Sequence, residues 1–337
     1  MAMQKQKVAL ITGANAGIGL AVAERLLQCD HDLRLCLACR NPLKATAAKL
    51  ALEAGRPGAT IDIVIVDVGC VKSVFKAVQE IKNRYSQLDY VFMNAGAMGE
   101  VKFNWTFLLK NLFSREVALH MFRTGIGLIE QVDSTTEEGL RQVFATNVFG
   151  HFIMLRELEA LFGCDGQPTK IIWTSSSNAI KASFDINDLQ HKNGNQCYSS
   201  SKYICDLLSL HINCTYNKQG IYSSVTNPGF VYTKMTNSIL PDWLWSVSLW
   251  LLTLLRFLVP SMTISTYCGA ESLIDVWRKP VESLDPYSKY YSNAGLFSKA
   301  FTNQHKLDVD ESLAMQTFEK LDTMLEKVKR SEPPWTF

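Results

Sequence analysis

Residues 7–13, KVALITG, form an apolar run just long enough for a strand, and pass directly into a glycine-bearing turn, TGANAGIG, and an amphipathic segment, IGLAVAERLLQ. The alternation then repeats. DLRLCLACR (32–40) precedes PLKATAAKLALEA, and TIDIVIVDV (60–68) precedes VKSVFKAVQEIKNRYS. Further strand-length runs lie at LDYVFMNAG (88–96), TKIIWTSSS (169–177) and IYSSVTNPG (221–229). Runs that are apolar throughout belong to strands covered on both faces. Separated by helical segments, they imply parallel βαβ units and a doubly wound α/β sheet with helices on both faces.

Two stretches break the alternation. Residues 98–132 separate the fourth run from a helical segment at 135–160 and include FNWTFLLKNLF, an insertion of the kind that serves as a lid or binding element. Residues 237–267 hold a tryptophan-rich apolar segment, and the charged tail over 303–330 has helical spacing. We read residues 1–337 as a single domain carrying these additions.

Charge and cysteine usage narrow the function classes. A net charge of +2 gives no electrostatic case for nucleic acid. Nine cysteines spread singly along the chain argue for a reducing compartment rather than a disulfide framework. The one C-x-x-C, Cys36 to Cys39, falls in a strand, where residues three apart point to opposite faces. It therefore makes no metal or redox pair, and no metal is expected elsewhere. The sequons at Asn104 and Asn213 are read as unused.

MAMQKQK leads straight into a strand, so no cleavable signal is expected. WLWSVSLWLLTLL (243–255) is uncharged and rich in tryptophan, as suits a membrane interface. We expect contact with a membrane over 239–259, by partial insertion more than a full span; a buried substrate-pocket helix is the alternative.

The glycines of the first turn have separable tasks. Gly13 allows a tight turn, Gly17 lets the backbone approach a pyrophosphate, and Gly19 permits close helix–strand packing, with the helix N-terminus facing the anion. This is the context of a Rossmann dinucleotide site, although the spacing is G-x-x-x-G-x-G. The second strand ends in Cys39-Arg40-Asn41 without a carboxylate, which favours a ribose 2′-phosphate and therefore NADPH over NADH.

The reacting groups are sought in YSSSKYICDLLSLH. On a helix, Tyr198 and Lys202 share a face one turn apart, and an ammonium beside a phenol favours the phenolate. Tyr203 points about 100° further round and cannot share that role. Of eleven tyrosines, only Tyr198 has a lysine four residues on. Ser175, Ser176 and Ser177 close an apolar strand, where a hydroxyl can stabilise charge on a reacting carbonyl. Asn147 is a polar interruption of an apolar helix; standing alone it would be a satisfied buried amide.

Together these stretches resemble the short-chain dehydrogenase/reductase family. The carriers are Thr12-Gly13-Ala14-Asn15-Ala16-Gly17-Ile18-Gly19, Asp67-Val68, Asn94-Ala95-Gly96, Asn147, the serine cluster, Tyr198-x-x-x-Lys202, and Pro228-Gly229 with Thr233. The resemblance implies that Tyr198 exchanges the proton and that Lys202 assists it and holds the nicotinamide ribose. It further implies that Ser176, with Ser175 as the fallback, orients the substrate oxygen and that Asn147 supports a water relay. Asp67 and Val68 would meet the adenine, and Pro228, Gly229 and Thr233 would lie near the nicotinamide. LCLACRN, NLFSREV, EQVDSTTEEGLRQVFATNVFGHFI and TLLRFL are similar to the branch of the family that reduces steroid ketones. That likeness implies NADPH-dependent reduction of a 3-ketosterol (zymosterone type) in cholesterol synthesis, and also of estrone to estradiol. It places the chain at the endoplasmic reticulum membrane, facing the cytosol, with sterol-demethylation enzymes as partners. The alternatives are a retinal reductase and a non-catalytic NADPH-binding scaffold.

Overall fold

A computed structural model describes residues 6–111, 114, 116–117, 129–233, 253, 259–295 and 299–333. Its centre is an eight-stranded sheet in the order β10-β9-β8-β7-β4-β1-β2-β3. The strands are β1 Val8–Thr12, β2 Arg34–Cys39, β3 Thr60–Ile65, β4 Tyr90–Met93, β7 Thr169–Thr174, β8 Ile221–Asn227, β9 Ser288–Ala294 and β10 Ala300–Lys306. All pair in parallel except β10, which runs antiparallel to β9. The order reverses between β1 and β4, and open sheets of this kind bind ligands at the carboxyl ends of the strands flanking that point.

The doubly wound expectation follows from how the strands are buried. Along β1, Val8 and Leu10 enter one core while Ala9 and Ile11 enter the other. Along β2, Cys36 and Ala38 face the first core and Leu35, Leu37 and Cys39 the second. Cys36 and Cys39 thus lie on opposite sides of the sheet, and all nine cysteines are free. Burial pushes the thiols of both up, to about 12 and about 11.

Helices α1 Gly17–Cys29 and α2 Pro42–Gly55 cover the second core, and α3 Val71–Arg84 the first. Helix α4, Trp105–Asn111, lies in the insertion between strands β5 Glu100–Phe103 and β6 Ile129–Val132, which pair as a separate antiparallel ribbon. Helix α5 begins at Gln142–Phe144, loosens into a π-helical turn over Ala145–Phe149, and resumes at Gly150–Glu157. The sequence placed its start at 135. Residues 133–141 instead form a turn, with Thr136 N–H donating to the Leu140 carbonyl at 2.7 Å.

Helix α6, Cys197–Tyr216, is long and mostly buried. Asn213 sits in it with its amide bonded to both backbone groups of Ser223, which leaves no exposed acceptor at that sequon. The short α7, Thr266–Gly269, and α8, Glu271–Arg278, complete the second face.

The tail differs from the sequence expectation at its start. Residues 303–306 belong to β10, and the helix α9 is Glu311–Arg330, capped by Asp310, whose carboxylate accepts from Leu313 N–H at 2.8 Å. It is not merely a solvated helix: Phe318, Leu321, Leu325 and Val328 are buried in the first core, each such burial stabilising by about 1.5–3 kcal/mol. Nearly all of the membrane-contact segment 239–259 lies outside the described residues. Among the described residues, no helix is long and apolar enough to cross a membrane.

Candidate active site

The first βα turn is shaped as a dinucleotide cradle requires. Gly13 and Gly17 have φ of +69° and +59°, and a Cβ on Gly19 would stand 2.5 Å from the Gly13 carbonyl oxygen. A Cβ on Gly17, by contrast, would meet nothing nearer than Thr233 Cγ2 at 3.6 Å, which sets the turn beside the segment after β8. Helix α1 opens at Ala16 with no side-chain cap and no acidic residue in its first turn. Its free N–H groups fit an anion. Asn15 and Ile18 are half-buried beside them.

Behind the cradle, Thr12 ties the end of β1 to that of β4. Its Oγ1 accepts from the N–H groups of Asn94 (2.8 Å) and Ala95 (3.0 Å). With both lone pairs taken, the hydroxyl hydrogen is left for the Phe92 carbonyl at 3.2 Å or His151 Nε2 at 3.0 Å. The Asn94 amide donates to the Thr12 carbonyl at 2.9 Å and accepts from Thr174 Oγ1 at 3.3 Å, joining β1, β4 and β7. Gly96 continues this turn, half-buried. His151 lies one turn after Asn147, with Nδ1 3.3 Å from the Asn147 carbonyl. That carbonyl only accepts, so the proton sits on Nδ1. Burial keeps the imidazole neutral by pushing it down to about 4.

Arg40, which the sequence assigns to the ribose 2′-phosphate, is 76% exposed and its guanidinium lies 3.5 Å from Asp67 Oδ2. Asp67 Oδ1 accepts from Gly69 N–H at 3.0 Å. Asn41 caps α2 by accepting from Lys44 N–H at 2.9 Å, and the Val68 side chain is buried in the first core. The Val68 side chain is therefore not available to a ligand. In the segment after β8, Pro228 is buried and Gly229 has a φ of +72°. Asn227 Oδ1 accepts from Gly229 N–H at 3.1 Å, whereas its buried Nδ2 has no partner. An orphaned donor beside the sequence-expected nicotinamide residues fits a dinucleotide here.

The residues that the sequence marks as candidates for the reaction converge from three elements. Lys202 Nζ lies 5.6 Å from the centroid of the half-buried Tyr198 ring. The same ammonium donates to the Thr174 carbonyl at 2.7 Å, which binds the helix to the carboxyl end of β7. Tyr203 is turned elsewhere, its hydroxyl donating to the Asp308 carbonyl at 2.8 Å.

Ser175 and Ser176 separate cleanly. Ser175 is buried and donates to Asp206 Oδ1 at 2.6 Å. Ser176 is partly exposed, and its Oγ accepts from Asn178 N–H at 3.1 Å, which directs the hydroxyl hydrogen elsewhere. Of the two, Ser176 is the one placed to meet a ligand. Asn147 sits at the middle of the π-helical turn. Its Oδ1 accepts from Ala97 N–H at 2.7 Å, while Nδ2 donates to the Ala97 carbonyl and to Ser201 Oγ, each at 2.9 Å. The amide thus clamps the segment after β4 to the helix of Tyr198 and keeps one oxygen lone pair.

Four residues around this site escaped the sequence reading. Gln131, on the insertion strand β6, accepts from Tyr198 N–H at 2.9 Å. Lys289, on β9, pairs with Asp206 at 2.6 Å and donates to the Ser176 carbonyl at 2.9 Å. His151 is the fourth. Asp206 and His151 carried a readable signal, because they follow Lys202 and Asn147 by one helical turn. Gln131 and Lys289 reach the site across long sequence separations.

The comparisons with known proteins agree with this geometry. A family model described as short chain dehydrogenase matches residues 7–121 and 116–243. The chain is 44% identical over 324 residues to the 3-keto-steroid reductase/17-beta-hydroxysteroid dehydrogenase 7 of Rattus norvegicus, covering 96% of this chain and 97% of that one. It is 46% identical over 316 residues to the Homo sapiens protein of the same name, covering 94% and 92%. An actinorhodin polyketide ketoreductase variant solved with NADPH shares the fold, with a TM-score of 0.57 at 21% identity over 85% of this chain and 95% of that one. With the cradle, the Tyr198–Lys202 pair and the serine turn in place, this chain belongs to the short-chain dehydrogenase family and is an oxidoreductase.

Proposed function

We propose that this enzyme reduces the 3-keto group of a sterol of the zymosterone type with NADPH, and that it also accepts the 17-keto group of estrone. The observation that carries the reading is the Lys202 ammonium, 5.6 Å from the Tyr198 ring and anchored on the Thr174 carbonyl next to Ser176. The names of the relatives supply the substrate class, and Arg40 supplies the choice of NADPH.

Tyr198 donates a proton to the carbonyl oxygen as it gains negative charge. Lys202 stabilises the resulting phenolate through its fixed positive charge. Ser176, its Oγ already accepting from Asn178 N–H, turns its hydrogen toward the substrate oxygen. Asn147 holds the Ala97 segment against α6, and its remaining lone pair suits a water that returns the proton to Tyr198. A nicotinamide held here would supply the hydride. Arg40 would meet the 2′-phosphate, Asp67 and Val68 the adenine, and Gly13 to Gly19 the pyrophosphate.

A sterol is apolar and resides in bilayers, which suits an enzyme at the endoplasmic reticulum membrane that takes its substrate through the segment 239–259. Enzymes of sterol demethylation would then be its neighbours. Protein reconstituted into membranes and supplied with NADPH tests the reading against zymosterone, estrone and retinal. Preferred turnover of zymosterone supports it; preferred turnover of retinal, or cofactor binding without reduction of any ketone, refutes it.

A further inference from the structure

Three consecutive residues at the end of β7 are each tied by one polar contact to a charged side chain. The Thr174 carbonyl accepts from Lys202 Nζ at 2.7 Å, Ser175 Oγ donates to Asp206 Oδ1 at 2.6 Å, and the Ser176 carbonyl accepts from Lys289 Nζ at 2.9 Å. Lys289 and Asp206 are themselves an ion pair at 2.6 Å, with side chains only 4% and 2% exposed. Neither belongs to the set of reacting groups.

Burying two charges is unfavourable, and an apolar pair of similar volume would often stabilise the fold as well or better. What an apolar pair could not do is direct hydrogen bonds at two successive residues of a turn. Lys289 stands opposite Val225 on the strand next to β8, and Asp206 lies one turn after Lys202 on α6. The pair therefore spans from β9 to the helix of Tyr198, with the serine turn held between them. Burial lifts the Asp206 carboxyl above its usual range while the Lys289 ammonium and the Ser175 hydroxyl draw it back down, which fits a charge retained only through its partners.

We propose that the buried Lys289–Asp206 pair fixes the peptide of Ser176 relative to Tyr198, and that both are positioning residues for ketone reduction. The inference rests on the reading of Ser176 as the group that orients the substrate oxygen.

The test compares full-length Lys289→Met, the double variant Lys289→Met/Asp206→Asn, and Ser176→Ala. The readouts are thermal melting, NADPH affinity by fluorescence titration, and kcat for ketosterol reduction. Lys289→Met leaves an unpaired buried carboxylate, so its melting temperature falls. The double variant removes both charges and keeps an acceptor for Ser175, so its melting temperature recovers. Its kcat stays about 10- to 100-fold low, as expected for a misplaced catalytic group, with NADPH affinity unchanged. A double variant with recovered melting and the wild-type kcat would overturn the proposal while Ser176→Ala remained slow. A wild-type rate for Ser176→Ala would instead remove the ground beneath it. Should the double variant fail to fold, Lys289→Arg serves: it keeps the charge and displaces the donor, and a wild-type kcat there also overturns the proposal.

Discussion

Gln131 accepts a hydrogen bond from the backbone N–H of Tyr198 at 2.9 Å across 67 residues of sequence. The first turn of α6 lacks a local side-chain cap, and the insertion strand β6 supplies this one. Gln131→Leu should lower stability by about 1 kcal/mol, the usual effect of losing a helix cap. Thermal melting checks it, and an unchanged midpoint would show that the insertion does not brace the helix.

The Arg40 guanidinium, 76% exposed and 3.5 Å from Asp67, is the one charged group that the sequence assigned to cofactor choice. Arg40→Asp should raise KM for NADPH by roughly 10- to 100-fold, the span of one charge-assisted hydrogen bond, and improve NADH. Steady-state kinetics with both cofactors measures this. Unaltered preference would leave Arg40 as a surface residue only.

Gly19→Ala should weaken NADPH binding more than it weakens the fold. The added Cβ would press to 2.5 Å from the Gly13 carbonyl oxygen, a backbone atom of the first βα turn. Fluorescence titration is the measure; wild-type affinity would mean that this turn does not carry the cofactor.

His151 predicts an acid limit. Burial pushes the imidazole from 6.5 down to about 4, so between those values the unfolded chain binds the proton and the native protein does not. Stability therefore falls as pH drops through this window, by roughly 3 kcal/mol in all for this one group. His191 and His211 are depressed by burial in the same direction and add to the slope. The difference between wild type and His151→Gln isolates the first contribution: the variant should lose less stability between pH 6.5 and 4. Parallel curves would contradict the assignment.

What the sequence could and could not convey is clearest in the sheet. Six strands were legible because their runs are apolar on both faces. Strand β9 was not, because SKYYSNA buries Ser288, Lys289, Ser292 and Asn293, polar residues that no hydropathy pattern distinguishes from a loop. Strand β10 is an edge of mixed, mostly exposed residues, and its register with β9 is set by pairing alone. In the site, Tyr198 and Lys202 were readable from their four-residue spacing. The preference for Ser176 over Ser175 acquires a physical reason only in three dimensions, because it depends on Asp206 engaging Ser175.

The most direct test of the central claim is Tyr198→Phe, which removes a single oxygen from the ring whose centroid lies 5.6 Å from the Lys202 ammonium. The account predicts that NADPH still binds with near wild-type affinity while ketosterol reduction falls by about 100- to 10,000-fold in kcat, the range for loss of a general acid. Reduction at close to the normal rate would contradict it.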